Sequence, residues 1–395
     1  MVLGRRVTRR SLLRMGAVFA AGATTLGFTC VPPPAWPPIA QPGRADGPRH
    51  LSWVWQFSRD GPPDQIVQAL AQYNLGILVK THDGTTWMSK WDTSPYAVFG
   101  PIQVAVLAHY FETYGVPFHA WCVVKGLEPQ QEAEMCAQVV GAGARSIVVD
   151  LEPHSGFWQG TPQAALTFGR EFRRLQPNAT LYVCVDQRPW VVSRVPAKEF
   201  GSFAQGFVPQ IYWETFNSSD NVQRFASSGF PPGDQGITPE FLLGVSRQVL
   251  RQYGPLVCPA GQGASQNLTA WSHFLGAARV AGLPAISVWR YGVTGRDVWA
   301  MARDWLSQPA PKPTAALSKG GTAMVTSTDS CLNVRESAST KAPVRTCLTD
   351  GTIVRLQDGP VSAEGYRWWL VETQTASGWS AEAGPDGVRW LVPWP

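Results

Sequence analysis

The sequence predicts an α/β chain in two parts: a (β/α)8 TIM barrel over residues 48–308 and a small all-β barrel over residues 323–395. Three observations carry this. Eight short apolar runs, nearly all followed by a segment of helical period, succeed one another over about 260 residues, the repeat and length of a (β/α)8 barrel. A Pro-rich linker, residues 309–322, then interrupts the pattern. Beyond it, short alternating runs with Asp-Gly turns replace the helices. A doubly wound sheet is the alternative for the first part, but no glycine-rich phosphate loop follows the first strand.

The elements follow in order. Leu51–Phe57 reads as a strand and Asp64–Tyr73 as a helix, started by Pro62 and Pro63. Gly76–Lys80 is the second strand. Pro101–Tyr114 is helical, with apolar residues at 102, 104, 106, 107, 110 and 111. Val116–Val124 is the third strand. Pro129–Gly141 is a helix with Ala133, Cys136, Ala137 and Val140 on one stripe. Ser146–Pro153 holds the fourth strand. Thr161–Leu175 is a helix capped by Thr161, with Pro162 at its first position. Thr180–Val185 and Phe207–Trp213 are strands, with a poor helix signal between them. Asn221–Ser228 is a short helix and Phe241–Val245 a seventh strand. Ser265–Ala281 is a helix, Ala285–Tyr291 the eighth strand and Gly295–Leu306 the closing helix.

The fourth strand organises the rest. Ile147, Val148 and Val149 are an apolar, β-branched run, as in a buried parallel strand. Pro153 stops it, because proline has no N–H for the ladder. Just before that stop stand Asp150 and Glu152. Residues two apart share a strand face, so both carboxylates point the same way at the C-terminal end, where parallel α/β proteins bind ligands. Two acids there are costly without partners. A proton donor beside a second carboxylate is what glycoside hydrolysis needs, and each charge disfavours ionisation of the other. The expected catalytic pair is therefore Glu152, nearer the strand exit, as acid and Asp150 as its partner. Other strand ends supply candidate substrate-binding residues: Lys80 and Asp83, Trp121, Asp186, Gln210 and Tyr212, and Trp289. Rings suit sugar faces and polar tips suit hydroxyls. Asp186 and Asp83 are also the alternative acids.

Composition excludes other classes. The chain of 395 residues is 44% hydrophobic and 15% charged, with 18 Trp, which describes a packed globular protein. Its net charge of +5 comes from Arg5, Arg6, Arg9, Arg10 and Arg14; the remainder has 28 basic residues (33 − 5) against 28 acidic ones, so a nucleic-acid partner is not expected. No His-x-x-x-His or Cys-x-x-Cys spacing appears, His82 and His154 are far apart, and neither metal nor cofactor is expected. Cys122, Cys136, Cys184 and Cys258 read as buried thiols. Cys331 and Cys347 are the expected disulfide.

Residues 1–30 carry paired arginines (Thr8-Arg9-Arg10-Ser11-Leu12-Leu13-Arg14) and then a weakly hydrophobic Ala/Gly-rich run, which resembles a bacterial twin-arginine export signal. Residues 31–47 are a Pro-rich spacer. The resemblance implies an extracellular or cell-envelope location, with the membrane met only through this segment or through lipidation at Cys30, where Gly27 stands in place of a lipobox leucine. Cys331-Leu-Asn-Val-Arg335, the Asp350-Gly-Thr turn, Trp368-Trp369 and Gly378-Trp379 resemble a bacterial SH3 domain. That implies binding of cell-wall material, with Tyr366 and Trp379 as contact residues. Val149-Asp150-Leu151-Glu152-Pro153 is similar to the Asp-x-Glu strand of β/α-barrel muramidases and to the end of the chitinase signature. Pro209-Gln210-Ile211-Tyr212-Trp213 and Ser287-Val-Trp289-Arg-Tyr291 fit the same families. The resemblance implies Glu152 as proton donor and Asp150 as the group that orients a substrate N-acetyl group, which can itself be the nucleophile; the substrate would be peptidoglycan or another N-acetylated polysaccharide. Two departures stand beside it. The first strand, Ser52-Trp53-Val54-Trp55-Gln56, lacks the muramidase aspartate, and Arg145 and Val148 replace two chitinase-signature aspartates. A barrel that binds glycan without cleaving it is the competing expectation.

Overall fold

The computed structural model describes residues 49–232, 236–307, 316–326, 328, 331–373 and 375–394. The segments expected to be an export signal and spacer, Cys30 included, and the Pro-rich core of the expected linker lie outside the described residues.

Eight parallel strands form the first part: β1 Leu51–Val54, β2 Gly76–Asp83, β3 Phe118–Val123, β4 Ser146–Leu151, β5 Thr180–Val185, β6 Gly206–Ile211, β7 Ala260–Gln262 and β8 Ser287–Trp289. Each pairs with the next, and β8 returns to β1 through Leu51–Ser287 and Ser52–Val288, so the sheet closes. Alternation then divides the side chains between two cores. Inside the barrel pack Trp53, Leu78, Trp121, Val123, Val148, Cys184, Val208 and Ala260. The outward set, including Ile77, Val79, Ala120, Ile147, Val149, Leu181 and Val183, meets the helices.

Those helices are α1 Pro63–Gln72, α2 Pro101–Thr113, α3 Pro129–Gly141, α4 Pro162–Leu175, α5 Pro189–Val192, α6 Ala197–Gly201, α7 Ser219–Ser227, α8 Pro239–Leu250, α9 Leu268–Val280 and α10 Arg296–Ser307. Proline opens α1 to α5 and α8, where its missing N–H leaves nothing unpaired. Thr161 caps α4 by accepting the Ala164 N–H at 3.2 Å. The segment with the poor helix signal holds α5 and α6, two helices of four and five residues.

One predicted element is overturned. Phe241–Val245 is not a strand; it lies inside α8, capped by Thr238, which accepts the Phe241 N–H at 3.2 Å. Every residue from Pro239 to Ser246 is buried, because this helix is covered on both sides, and a helix buried all round loses the polar stripe that would betray its period. The seventh strand is instead Ala260–Gln262, three residues without a β-branched side chain. Its Gly261 sits against α9, where a Cβ would come within 2.6 Å of the Trp271 ring and 2.8 Å of Phe274. Strand ends also move: β1 stops at Val54, and Phe57–Asp60 forms one helical turn.

The C-terminal part is a seven-stranded antiparallel sheet of β9 Thr322–Val325, β10 Leu332–Arg335, β11 Val344–Leu348, β12 Ile353–Ala363, β13 Tyr366–Glu372, β14 Ser377–Ala381 and β15 Leu391–Trp394, in the order β11-β10-β14-β13-β12-β9-β15. Its own core is built on Val325, Leu332, Val334, Val354, Leu356, Trp369 and Val371. Cys331 and Cys347 are joined as expected, with Cα atoms 5.5 Å apart.

Candidate active site

The Asp150–Glu152 pair sits at the C-terminal end of β4, the strand between β3 and β5, all of whose residues are buried. Asp150 is on the inner face, level with Cys184 of β5 and Val123 of β3. Glu152 follows one step past the strand, where its carbonyl accepts the Trp158 N–H at 3.0 Å and closes the loop behind Pro153. The two acids differ in access. Asp150 is 8% exposed, and its Oδ1 is buried without a hydrogen-bond partner. Glu152 keeps 19% of its side chain open. Gln210, on β6, donates its amide to Glu152 Oε1 at 2.6 Å, and His154 Nε2 stands 3.7 Å from Oε2.

Burial pushes the Asp150 carboxyl well above the ordinary range, helped by the Glu152 charge and opposed by the Lys80 ammonium. The Glu152 carboxyl is also raised, first by burial; the Gln210 hydrogen bond pulls it back and the Asp186 charge adds to the rise. Tyr212, next to the pair, is held neutral by burial and by the same acids. Both carboxyls therefore hold a proton to higher pH than an exposed carboxyl does, and the one with access to a ligand is Glu152.

The other expected residues take definite places. Lys80 Nζ lies 4.8 Å from the Trp121 ring centroid and 3.3 Å from Asp83 Oδ2, and Lys125 Nζ lies 2.8 Å from Asp83 Oδ1. Asp83 is thus held between two ammonium groups. Asp186 is 3% exposed and paired with Arg188, whose Nε stands 3.0 and 2.9 Å from its two oxygens. As acids, Asp83 and Asp186 are committed to these cations. Trp121 and Trp289 pack edge-on with Trp53, ring centroids 5.4 to 5.6 Å apart, to form an aromatic floor. Trp121 Nε1 donates to the Val54 carbonyl at 2.9 Å, whereas Trp53 Nε1 is buried without a partner. Gln210 reaches the pair from β6, and Tyr212 follows one residue past that strand.

Sequence reasoning missed three contributors. Arg188 is visible only as an Asp-x-Arg after a strand. Trp53 is visible from alternation alone, as the inner residue of β1. Asp60 does not replace a first-strand aspartate by position, but it closes the mouth there: its carboxylate accepts the Trp55 N–H at 2.6 Å and the Gly292 N–H at 3.1 Å, and it pairs with Arg290. It ties the first βα loop to the last strand.

In the C-terminal sheet, Tyr366 stacks on Trp390 (6.4 Å between centroids) and lines a cavity of about 270 Å³ with Asn333, Arg335, Trp368 and Trp390. Trp379 is half-buried on β14, opposite Leu370 and Arg335, and does not line that cavity.

No family model matches the chain, and no curated protein matches it in sequence. Among solved structures, the chain is similar to a glucosidase from Croceicoccus marinus at 9% identity and a TM-score of 0.44, over 66% of this chain and 68% of that one. It is similar to the spore cortex-lytic enzyme SleL of Bacillus cereus at 11% identity and a TM-score of 0.42, over 65% and 74%. A chitinase from Chromobacterium violaceum aligns at 11% identity and a TM-score of 0.42, over 66% of this chain and all of its own.

Proposed function

We propose that this chain is a cell-envelope glycoside hydrolase, exported by the twin-arginine route, that cleaves peptidoglycan or another N-acetylated polysaccharide. The observation that carries the reading is the Asp150–Glu152 pair: two carboxyls on one face of a buried strand, both biased towards protonation, with only Glu152 accessible. In this reading Glu152 gives its proton to the glycosidic oxygen as the bond to the anomeric carbon breaks. The substrate's own N-acetyl oxygen attacks that carbon from the opposite side. Asp150 orients the acetamido group and, in the ionised form that bound substrate must restore against burial, balances the positive charge that develops on it. Water then opens the cyclic intermediate, with Glu152 taking the proton back. Trp289 and Tyr212, both half-buried, offer apolar faces to the sugar, Trp121 packs beneath them at 2% exposure, and Gln210 fixes the carboxyl of Glu152. The C-terminal sheet acts as an SH3-type wall-binding domain, with Tyr366 and Trp379 as contacts.

The test is Glu152→Gln assayed on purified cell walls and on chitin-type oligomers. The amide keeps shape and hydrogen bonding but has no transferable proton, so turnover should fall by roughly 10²–10⁴-fold while binding survives. Hydrolysis at the wild-type rate would remove Glu152 from the chemistry. A wild type that binds these glycans and releases no product would instead support the non-catalytic barrel, which the missing first-strand aspartate favours.

A further inference from the structure

We propose that His82, Cys122 and Cys136 bind one zinc ion behind the barrel wall, clamping β2, β3 and α3 together. The three side chains are fully buried on the outer face of the sheet, opposite the face that carries Asp150. They come from separate elements, which is why no sequence spacing announces them.

A bulge in β2 makes the arrangement. Lys80 pairs with Trp121 of β3, but the next pair is His82 with Cys122, so Thr81 is one residue extra. Without that insertion His82 would share the inner face with Lys80. With it, His82 turns outward beside Cys122, and Asp83 turns inward opposite Val123. The apolar stripe of α3 then brings Cys136 onto both. Cys136 Sγ lies 3.6 Å from Cys122 Sγ and 3.6 Å from His82 Nε2, and the three ligand atoms all lie within 4.8 Å of one another. For tetrahedral angles around zinc, with Zn–S about 2.3 Å and Zn–N about 2.05 Å, sulfurs stand about 3.75 Å apart and sulfur and nitrogen about 3.6 Å. Two edges of the triangle already lie close to these lengths; the third closes by a shift of about 1.2 Å at most.

The imidazole is set in the ligating tautomer. The Thr81 hydroxyl donates to the Trp121 carbonyl at 3.3 Å, so it accepts from His82 Nδ1 at 2.9 Å. The proton is then on Nδ1, and the Nε2 lone pair faces Cys136. A metal-bound histidine is typically held through its other nitrogen in this way. Charge selects the ion. A divalent cation that displaces the two thiol protons leaves the dry site neutral, as it is with two thiols and a neutral imidazole. A monovalent soft ion would leave one negative charge buried there, and oxidation to a disulfide would need an external disulfide as oxidant and leave the imidazole without a role. The S₂N donor set suits zinc. No fourth Asp, Glu, His or Cys joins the group among the described residues. Entry belongs to folding, since the ligands are sealed once α3 docks.

The experiment uses the untagged full chain, purified from zinc-supplemented culture and, separately, refolded with zinc or cobalt under reducing conditions. The expected result is one zinc per chain by elemental analysis, thiolate-to-cobalt charge-transfer bands in the cobalt form, and a Tm that falls when the protein is refolded without metal. His82→Asn and Cys136→Ala should each cut the metal content at least tenfold. His82→Asn, checked for native circular dichroism, should unfold at the same temperature with and without zinc. A metal-free wild type that gives no cobalt bands on refolding overturns the proposal. So does a Cys122–Cys136 disulfide in the isolated protein that forms equally in His82→Asn.

Discussion

Asp150 is a costly residue in this fold, a carboxyl buried with one oxygen unpartnered. It sits 8% exposed, and only the Lys80 ammonium and a Cys184 hydrogen bond oppose its burial. Its folded pKa lies above the unfolded value of about 3.9. The folded chain therefore holds this proton more tightly than the unfolded chain does. Below the unfolded value the carboxyl is protonated in both states and costs nothing in charge. As pH rises towards and through the folded value, the stability tied to that proton is lost. Asp150→Asn removes the titration. Between pH 4 and pH 8 the variant's advantage in denaturant unfolding should grow, reaching about 1–3 kcal/mol, the scale of an unsatisfied buried polar group. An advantage that does not change with pH would mean that Asp150 is solvated as an ordinary carboxylate. The same alternation that placed Asp150 and Glu152 on one face was readable in five residues of sequence. What was not readable is which neighbours would be spent on each other: Asp186 on Arg188, and Asp83 on Lys80 and Lys125. Those pairings depend on side-chain reach across strands, not on spacing along one.

At the scale of elements, the strands that were legible are those with two-sided burial and β-branched runs, such as β4 and β5. The errors share one physical origin: tertiary contact overrode local propensity. Phe241–Val245 has the composition of a strand but is helical because both its faces are covered. Ala260–Gln262 has the composition of a loop but is a barrel strand because Gly261 admits the Trp271 and Phe274 rings against the sheet. This makes a test in which propensity and packing predict opposite signs. Gly261→Val raises β propensity at a strand position. Its side chain, however, must displace a ring already in contact at the position of Cβ, in a helix–sheet core where Trp271 and Phe274 are fully buried. Overpacking of this kind costs about 1–3 kcal/mol, so the variant should lose stability by that amount in equilibrium unfolding. A more stable variant would show that strand propensity, not ring contact, governs β7. The bulge at Thr81 is a second element-level event hidden from sequence. Period-two counting puts His82 beside Lys80, whereas the inserted residue puts it behind the wall.

For the whole molecule, composition and the change of pattern after residue 308 made the two-part architecture legible, but not how the parts meet. The sequence suggested a module on a linker. The structure has the C-terminal sheet seated on α8 and α9. Met324 and Trp394 of that sheet join the barrel's outer core. Arg247 Nη1 donates to the Thr326 hydroxyl at 2.7 Å and Gln248 Nε2 to the Thr328 hydroxyl at 3.1 Å. The contact is close enough to require glycine on both sides: a Cβ on Gly244 would overlap the Asp350 carbonyl, and one on Gly351 would overlap the Glu240 carbonyl. Beside it, His273 Nδ1 lies 2.5 Å from the Glu240 carboxylate, and that hydrogen bond raises the imidazole pKa against the opposing effect of burial. A seat this tight makes the two parts one unfolding unit. Gly244→Ala tests it, because alanine suits a helix better than glycine by about 1 kcal/mol and should stabilise α8 if the interface were loose. With the interface as described, the added methyl instead pushes the Asp350–Gly351 turn off the helix. Calorimetry should then show one transition for the wild type and, for the variant, a broadened or divided one with the lower part at reduced Tm. A single transition at equal or higher temperature would mean that the C-terminal sheet is tethered to the barrel and not docked on it.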